Sequence, residues 1–543
     1  MEIQPWWRGA VIYQIYPRSF MDANNDGIGD LVGIVEKLPY IKSLGVDAVW
    51  ISPFFKSPMK DFGYDISDYR EIDPMFGTMD DFDVLMAKAK EHNIKVVIDQ
   101  VLSHTSDQHP WFIESRQSKD NAKADWYVWA DANDDGTPPN NWLSIFGGCA
   151  WQWEPRRQQY YLHNFLTSQP DLNFFNPEVQ KAVLDNVEFW LKRGVDGFRL
   201  DAINFCFHDK QLRDNPAKAP EDRKGRGFSE DNPYAFQYHY YNNTQPENIA
   251  FMEDIRQLMD RYPGVVTLGE ISSEDSLQTM AEYTQGNKRL HMAYSFELLT
   301  PDGSPQYIRN TVEALEGKLA EGWPCWAIGN HDVMRVASRW GSAAHGVAQS
   351  KMYNALLASL KGSICSYQGE ELGLTEADIA YEDLQDPYGV TFWPTFKGRD
   401  GCRTPIPWSS QARNAGFSQS EELWLPVSLE HQENAVSVQE TDNESVLHAY
   451  RTFLHWRKKQ PCLLYGDINF LESDDNKLVF SRQYENKEIL VVVNFSALPT
   501  EYNLPSSNYQ LMDGHGFSQA KLTKSEQQTA VSVEPFQVAY LNR

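Results

Sequence analysis

The stretch GVDGFRLDA runs from Gly194 to Ala202. Within it, the short run Gly197–Leu200 leads to an acidic residue, Asp201. It predicts a strand over Gly197–Asp201 that follows a segment with helical periodicity. Because side chains alternate along a strand, Arg199 and Asp201 lie on the same side, where the guanidinium can keep the carboxylate ionised and oriented. The same unit of strand, loop and helix recurs over the first four hundred residues.

Eight strands are predicted from this recurring unit. They are Val11–Tyr16, Ala48–Ile51, Lys95–Val101, Gly197–Asp201, Val265–Glu270, Met292–Phe296, Cys325–Gly329 and Ser363–Gln368. Eight parallel strands with intervening helices predict an α/β fold, the (β/α)₈ TIM barrel, whose active site lies at the C-terminal strand ends. Polar residues that close the strands are therefore the first places to look for function.

Three segments depart from the barrel repeat. Residues 103–171, rich in Trp, Asp, Asn, Pro and Gly, predict a small domain inserted after the third strand. Residues of about 203–248 are polar and turn-rich, which predicts a rim or lid insertion rather than a packed element. Short alternating runs such as KLVFSRQY and EILVVVNF predict a C-terminal antiparallel β-sandwich over residues 461–543. Residues 1–102 and 172–460 are left for the catalytic barrel.

Composition limits the partners of the protein. The 543 residues carry 49 Lys and Arg against 75 Asp and Glu, a formal charge of −26 that opposes binding to nucleic acid. No run approaches the ~18 apolar residues of a membrane span, and MEIQPWWRGA does not resemble a secretory signal, so we expect a cytoplasmic protein. Six cysteines without CxxC spacing predict reduced thiols, and no organic cofactor is expected.

Charged side chains cluster at the predicted strand ends. Asp99 lies near the end of the third strand, Asp201 closes the fourth and Glu270 the fifth, while His331 and Asp332 follow the seventh. Glu270 ends the apolar run VVTLGE, where desolvation would raise its pKa and keep it protonated, as a general acid must be. A protonated carboxyl beside an ionised one suits glycoside hydrolysis.

Four stretches at these positions resemble the conserved regions of the α-amylase superfamily, glycoside hydrolase family 13. They are DQVLSH at Asp99–His104, GFRLDA at Gly197–Ala202, GEIS at Gly269–Ser272 and GNHD at Gly329–Asp332. QPDLNF at Gln169–Phe174 and WWRGAVIYQIYPRSF at Trp6–Phe20 are also similar to this family. The resemblance implies that Asp201 is the nucleophile, Glu270 the general acid/base and Asp332 the third carboxylate, which grips sugar hydroxyls. It adds His104, Arg199 and His331 to the sugar pocket.

Two further stretches resemble the α-glucosidase and oligo-1,6-glucosidase group of that family. In DFGYDISDY the resemblance makes Asp61, Tyr64 and Asp65 contacts of a terminal glucose, and in KGRDGCRTPIPW it pairs Arg399 with Asp61. A pocket closed in this way admits only a non-reducing end and implies exo-action. Two aromatic residues of the inserted domain remain open between a wall of this pocket and ordinary core: Phe146 and Phe165.

The group resemblance implies a retaining α-glucosidase that hydrolyses, and also transfers, terminal glucose from short oligosaccharides or α-glucosides. Ala202, where a valine accompanies α-1,6 preference in this group, favours α-1,4 bonds. The alternatives are an oligo-1,6-glucosidase or a sucrose-isomerising or transglycosylating enzyme of the same group. From another class, a non-catalytic partner of amino-acid transporters is disfavoured because all three carboxylates are present.

DANNDGIGD, at Asp22–Asp30, predicts a structural divalent cation, Ca²⁺ or Mg²⁺. Oxygen ligands stand at alternating positions around a glycine turn, an arrangement that hard cations favour. The predicted ligands are Asp22, Asn24, Asp26, the carbonyl of Ile28, and Asp30. The alternative is an Asx-rich turn that needs no ion. A second cation, between barrel and inserted domain, is not expected because Ser103 replaces the asparagine that α-amylases usually carry there.

Overall fold

The computed structural model describes residues 4–223, 231–518, 520–524 and 528–543. Its centre is a closed barrel of eight parallel strands in chain order, with the first strand paired to both the second and the last. The strands are β1 Val11–Ile15, β2 Ala48–Ile51, β3 Lys95–Val101, β4 Gly197–Asp201, β5 Val266–Ile271, β6 Met292–Ser295, β7 Trp323–Ala327 and β8 Ser363–Tyr367. Each overlaps a predicted strand, with ends that differ by at most two residues. The predicted α/β barrel is confirmed.

Eight helices of eight or more residues accompany the strands of the described chain. They are α1 Leu31–Leu44, α2 Met79–Glu91, α3 Pro177–Lys192, α4 Asn248–Met259, α5 Ser276–Tyr283, α6 Pro305–Glu316, α7 Gly346–Ser359 and α8 Val446–Arg457. Local sequence fixes their ends: Thr78 and Asp81 form a capping box at the start of α2, and Gly45 ends α1 in the left-handed conformation. Shorter helices span Pro110–Ser115, Val336–Arg339, Pro387–Phe392, Leu429–Glu433, Val436–Gln439 and Pro461–Tyr465.

The barrel interior is a packed core rather than a channel. Side chains from most of the barrel strands meet there without exposure to solvent, among them Ile12, Trp50, Val97, Leu268, Met292 and Cys325. Layers of inward-pointing side chains are characteristic of this fold. Because the interior is filled, a ligand can bind only above the strand ends.

Two insertions cover the C-terminal end of the barrel. Between β3 and β4, the strands Trp129–Ala130, Trp151–Glu154 and Gln159–Leu162 form a small antiparallel sheet with its own buried cluster. A hairpin of Phe55–Lys56 and Asp68–Ile72 follows β2. After β4 comes the predicted rim insertion, of which residues 224–230 lie outside the described residues. Its polar stretch is more packed than predicted, since Asn215 and Asn232 are buried in side-chain hydrogen bonds.

The C-terminal region forms two antiparallel sheets, as predicted. Its strands are β9 Asp467–Ser473, β10 Lys477–Tyr484, β11 Lys487–Asn494, β12 Thr500–Asn503, β13 Gln510–Leu511, β14 Lys521–Lys524, β15 Thr529–Val533 and β16 Val538–Asn542. One sheet has the order β9-β10-β11-β16-β13 and the other the order β12-β15-β14. Apolar side chains of both sheets, such as Val492 and Val531, share one buried cluster.

Two buried arginines bind the C-terminal end of α7, and one of them joins the C-terminal region to the barrel. Arg482 of β10 donates to the carbonyls of Ser359 (2.6 Å) and Leu360 (2.8 Å), just past the end of α7. Arg457 of α8 donates to the carbonyls of Ala358 (2.6 Å) and Gly9 (2.7 Å). These guanidiniums occupy the negative end of the α7 dipole and satisfy carbonyls that the helix leaves free.

Arg482→Met is therefore expected to destabilise the junction. The change leaves the Ser359 and Leu360 carbonyls buried without partners, and a charged hydrogen bond contributes about 1.5–3 kcal/mol. We expect the melting temperature, measured by differential scanning calorimetry, to fall by several degrees. Arg413→Met, the same change at an exposed position, is the control and should leave the melting temperature unchanged. Equal melting temperatures for both variants would contradict this account of the junction.

Candidate active site

A cavity of about 720 Å³ opens at the C-terminal end of the barrel. Every predicted catalytic or sugar-pocket residue of the sequence analysis lines it, apart from Arg199, which lies beneath its floor, and Asp65. The lining residues are Asp61, Tyr64, His104, Ile145, Phe146, Phe165, Asp201, Ala202, Phe205, Glu270, Ser272, Phe296, His331, Asp332, Tyr388 and Arg399. Phe146 and Phe165 both belong to this lining, and their contact with a sugar stays a prediction.

Arg199 connects the carboxylates at the floor of the cavity. Its Nη1 donates to Asp201 Oδ1 (2.6 Å) and to Asp99 Oδ1 (3.0 Å), and its Nη2 donates to Glu270. Alternation along β4 places Arg199 and Asp201 on one side, as predicted, and the neighbouring strands β3 and β5 bring the other two acids to the same guanidinium. One fork of donors thus orients three acids from three strands.

Arg199 is completely buried, and its charge survives because of these partners. Burial opposes the charged form of a guanidinium, but the carboxylates of Asp99 and Glu270 raise the pKa of Arg199 well above its usual range. The ring of Trp50 lies 4.7 Å from the guanidinium carbon and covers one face of it. The guanidinium is therefore a fixed positive charge at the centre of the site.

The two acids facing the cavity have unusual proton affinities. Burial raises the pKa of Glu270 to about 8 and that of Asp201 to about 7, partly offset in both cases by Arg199. Such close acids titrate as a coupled pair. Because the pKa of Glu270 is the higher of the two, the first proton taken up on acidification goes to Glu270. That proton removes a neighbouring negative charge and so favours the ionised form of Asp201.

Glu270 is held by two further groups that the sequence analysis did not identify. The Tyr294 hydroxyl donates to Glu270 Oε1 (3.0 Å), and the backbone N–H of Ala202 donates to Oε2 (3.0 Å). Ala202 reaches this position because it adopts the left-handed conformation, with φ of 40°, which costs a non-glycine residue energy. The strained backbone of Ala202 thus helps to orient the carboxyl group of Glu270.

Arg399 closes one end of the cavity. It donates to Asp61 Oδ1 (3.0 Å), as the sequence resemblance implied, and also to Asp332 Oδ1 (3.1 Å) and Asp386 (2.8 Å). Burial raises the pKa of the Asp332 carboxyl, but His331 and the two arginines Arg399 and Arg403 more than offset it and hold that pKa well below its usual range. Asp332 is therefore ionised at any physiological pH.

The aromatic wall is built on Tyr64. Its ring stacks on His331 with 5.2 Å between centroids and 4° between planes, and its hydroxyl donates to Asp99 (3.0 Å). Gln14 donates to Nδ1 of His331 (2.7 Å), which leaves the Nε2 proton directed at Asp332. Burial lowers the pKa of His104 to about 4 and that of His331 well below its usual range, so both imidazoles are neutral donors.

Asp65 does not fit its predicted role as a sugar contact. Its carboxylate lies behind the wall of the cavity and accepts from the backbone N–H groups of Lys60 (2.9 Å) and Asp61 (3.0 Å). Residues 60–65 form a turn, in which Asp61 and Tyr64 line the cavity while Asp65 is turned back onto the backbone. Asp65 orients Asp61 instead of touching the cavity.

Asp386 and Arg403 complete the closed end, although the sequence analysis did not single them out. Arg403 stands in the quoted stretch KGRDGCRTPIPW and donates to Asp332 Oδ1 (3.1 Å). Asp386 caps the short helix Pro387–Phe392. An Asp before a proline indicates only the start of a helix, so the ion pair of Asp386 with Arg399 could not be predicted from the sequence.

The predicted cation loop, Asp22–Asp30, is held by its own hydrogen bonds. Asp22 accepts from the N–H groups of Asn25 (2.6 Å) and Gly27 (2.8 Å), and Asp30 accepts from Ala23 (3.0 Å). Among the described residues, no group of three or more Asp, Glu, His or Cys side chains is arranged to hold a metal ion. These bonds are those of the Asx-rich turn, and the cation stays a prediction.

Comparison with known proteins was made for sequence families and for individual relatives. The family model "Alpha amylase, catalytic domain" matches residues 14–466, and "Maltogenic Amylase, C-terminal domain" matches residues 468–538. A probable α-glucosidase of Rhizobium meliloti (strain 1021) is 56% identical over 516 residues, covering 94% of this chain and 93% of the relative. The oligo-1,6-glucosidase of Parageobacillus thermoglucosidasius is 37% identical, with 92% of each chain covered.

Solved structures give the same result. The α-glucosyl transfer enzyme XgtA is 62% identical, with a TM-score of 0.97 over 99% of this chain and 100% of the other. The trehalulose synthase MutB of Pseudomonas mesoacidophila MX-45 is 32% identical, with a TM-score of 0.87 over the same shares. In the described chain, no helix has the length and apolar character to cross a membrane. The chain belongs to the α-amylase family of glycoside hydrolases, glycoside hydrolase family 13.

Proposed function

We propose that the protein is a retaining, exo-acting α-glucosidase that hydrolyses and transfers the terminal glucose of short oligosaccharides or α-glucosides. The observation that carries this proposal is a cavity with a closed end. The Arg399–Asp61 ion pair, at 3.0 Å, blocks the path beyond one sugar ring. A chain of glucose units can therefore enter only with its non-reducing end.

Asp201 is the proposed nucleophile and Glu270 the proposed acid/base. Asp201 attacks the anomeric carbon while Glu270 gives its proton to the departing oxygen, which leaves a glucosyl ester on Asp201. Glu270, now ionised, then takes a proton from water or from an alcohol, whose oxygen bonds to the anomeric carbon as the bond from that carbon to the Asp201 carboxylate breaks. The single Arg199 guanidinium between the two acids suits the ~5–5.5 Å spacing typical of retaining enzymes, rather than the ~6.5–9.5 Å of inverting ones.

Asp332 is proposed to bind sugar hydroxyls rather than to exchange protons. It stays ionised and lies between Arg399 and the Nε2 of His331, at 3.1 and 3.4 Å. An ionised carboxylate accepts strong hydrogen bonds from hydroxyls and stabilises positive charge that develops on the ring. His331 supplies a neutral N–H beside the same sugar, and His104 lines the cavity with its Nε2 paired to the Tyr64 carbonyl (2.9 Å).

The preferred bond is proposed to be α-1,4, with transfer accompanying hydrolysis. Ala202 lines the cavity beside Glu270, where a larger side chain would narrow the exit for the leaving group. The 56%-identical relative is named a probable α-glucosidase, and the 62%-identical structure an α-glucosyl transfer enzyme. An α-1,6 preference is the alternative, favoured by the 37%-identical oligo-1,6-glucosidase.

Azide rescue separates the roles of the two acids. With Asp201→Ala, azide takes the place of the missing nucleophile and should yield the β-glucosyl azide from p-nitrophenyl α-glucoside. With Glu270→Ala, azide attacks the glucosyl ester and should yield the α-glucosyl azide, while kcat/KM on maltose falls about 10²–10⁴-fold. NMR of the products distinguishes the anomers, and the same anomer from both variants would refute the assignment.

The pH dependence of kcat/KM should fall on the alkaline side near pH 8. Glu270 must carry a proton to act as an acid, and its pKa is raised to about 8, so activity is lost as the pH rises through that value. Tyr294→Phe removes a hydrogen bond to the ionised carboxylate and should move this limb up by about half to one pH unit. A limb that moves down, or stays in place, would contradict the assignment to Glu270.

Ala202→Val should move the preference from maltose toward isomaltose. A change of this size in a pocket shifts specificity by ~1–3 kcal/mol, or about 10–200-fold in the ratio of kcat/KM values. Valine also tolerates the left-handed backbone poorly, so both rates should fall, but the ratio is independent of that loss. Ala202→Gly, which keeps the space and relaxes the strain, is the control and should retain the preference for maltose.

A further inference from the structure

A second chamber adjoins the cavity on the side away from Arg399. It measures about 960 Å³ and shares two residues of its lining with the first cavity, Ser272 and Phe296. Its other walls include Lys218, Tyr238, His239 and Glu274. Because the first cavity is closed at the Arg399 end, a group that leaves or approaches the reacting carbon passes this chamber.

Glu274 fastens the wall of the chamber at two points. One carboxylate oxygen lies 2.8 Å from the Lys218 ammonium, and the other accepts from the backbone N–H of His239 (2.9 Å). Both Lys218 and His239 belong to the insertion that follows β4. The side chain of Lys218 is only 9% exposed and that of Glu274 is 23% exposed, so the pair is largely withdrawn from water.

The loop that carries Glu274 is the loop that begins at the acid/base. Glu270 lies near the end of β5, and the residues Ser272–Asp275 lead from β5 to α5. Asn204, three residues after Asp201, donates to the carbonyl of Ser272 (2.7 Å) and accepts from its N–H (3.2 Å). These hydrogen bonds thus fix the position of the chamber wall relative to Asp201 and Glu270.

We propose that this chamber binds the acceptor of glucosyl transfer, and that the Glu274–Lys218 ion pair decides how much glucosyl group goes to an alcohol rather than to water. The inference rests on the proposed transferase activity. In the step concerned, an acceptor hydroxyl oxygen bonds to the anomeric carbon, the ester bond to Asp201 breaks, and the hydroxyl proton goes to Glu270. The attacking hydroxyl must therefore lie within reach of Glu270. Ser272, two residues after Glu270, lines both the cavity and the chamber, so the chamber begins close to the acid/base.

The chemistry of the wall selects a neutral polyhydroxy acceptor. The ammonium of Lys218 supplies donors and the carboxylate of Glu274 supplies acceptors, and this pair carries no net charge. Glu221 and Asp222 also line the chamber, and their negative charges oppose an anionic acceptor. The rings of Tyr238 and Phe296 add apolar surface, and the Lys218 ammonium lies 5.1 Å from the Tyr238 ring. Donors and acceptors beside aromatic rings suit a molecule with hydroxyls at its edges and C–H groups on its faces.

The partition of the glucosyl group tests this inference. With p-nitrophenyl α-glucoside as donor and sorbitol as acceptor, nitrophenol counts all glucosylation, free glucose counts hydrolysis, and their difference counts transfer. We expect Glu274→Gln and Lys218→Met to lower the ratio of transfer to hydrolysis about five- to tenfold, as loss of a charge-assisted hydrogen bond would. Nitrophenol release at low donor concentration should fall less than transfer to sorbitol, because the glucose cavity is untouched.

Two variants serve as controls. Lys218→Arg keeps the ion pair and should keep the ratio. Glu188→Gln alters a glutamate of matched exposure, 22%, whose lysine partner Lys192 lies at 3.0 Å on the outer helix α3, and should also leave the ratio unchanged.

Three outcomes would overturn the inference. They are an unchanged ratio in both Glu274→Gln and Lys218→Met, a parallel loss of nitrophenol release and transfer, or a wild type that releases nitrophenol but never forms a sorbitol glucoside. The last of these leaves the proposed hydrolysis intact. A wild type that releases no nitrophenol overturns the proposed function itself.

Discussion

The site depends on one buried positive charge among three carboxyl groups. Arg199 meets Asp99, Asp201 and Glu270 without contact with water, so one guanidinium faces up to three negative charges. Full ionisation of all three acids would leave two uncompensated negative charges in a region of low dielectric, which is costly. The protein relieves this by keeping a proton on Glu270, the acid with the highest pKa of the three. Glu270 thus has a raised pKa, as the proposed general acid requires, because the cluster holds fewer cations than carboxyl groups.

A second arginine shapes the pocket in the same way. Arg399 binds Asp61, Asp332 and Asp386, but here Arg403 adds another positive charge. The extra cation changes the outcome: Asp332 is held ionised, whereas Glu270 retains its proton. Two carboxylates in one cavity therefore differ in protonation because their arginine neighbours differ in number. This difference in protonation suits the roles proposed for them, with Asp332 binding hydroxyls and Glu270 transferring protons.

Sequence patterns predicted the parts that obey local rules. Period-two alternation placed Arg199 beside Asp201, and the apolar run before Glu270 indicated its raised pKa, because both depend on neighbours along one strand. The ends of β7 were misplaced by two residues, since the buried run WPCWA has no polar residue to mark its start. The contact that the resemblance implied for Asp65 is not seen, because its carboxylate accepts from the backbone of the turn instead.

Periodicity could not predict contacts between distant loops, and the pair of Arg399 with Asp61 was predicted only through the family resemblance. Asp386 reaches Arg399 only after the chain has closed a loop, and Glu274 reaches Lys218 across the insertion that follows β4. No periodic signal records such pairs, because loop conformation depends on the whole fold.

These loop contacts bear on how the two halves of the reaction can differ. In the proposed reaction, glucosylation uses Asp201 and Glu270, which stand on barrel strands and are held by a buried guanidinium, so their geometry is rigid. The attacking group in the second half approaches past the loop after β5 and the insertion after β4, which are joined by hydrogen bonds and one ion pair. Barrel folds vary their loops far more readily than their strands. The bond that is cleaved is therefore constrained by the barrel, while the acceptor can change by substitutions in two loops that leave Arg199 and its carboxylates undisturbed.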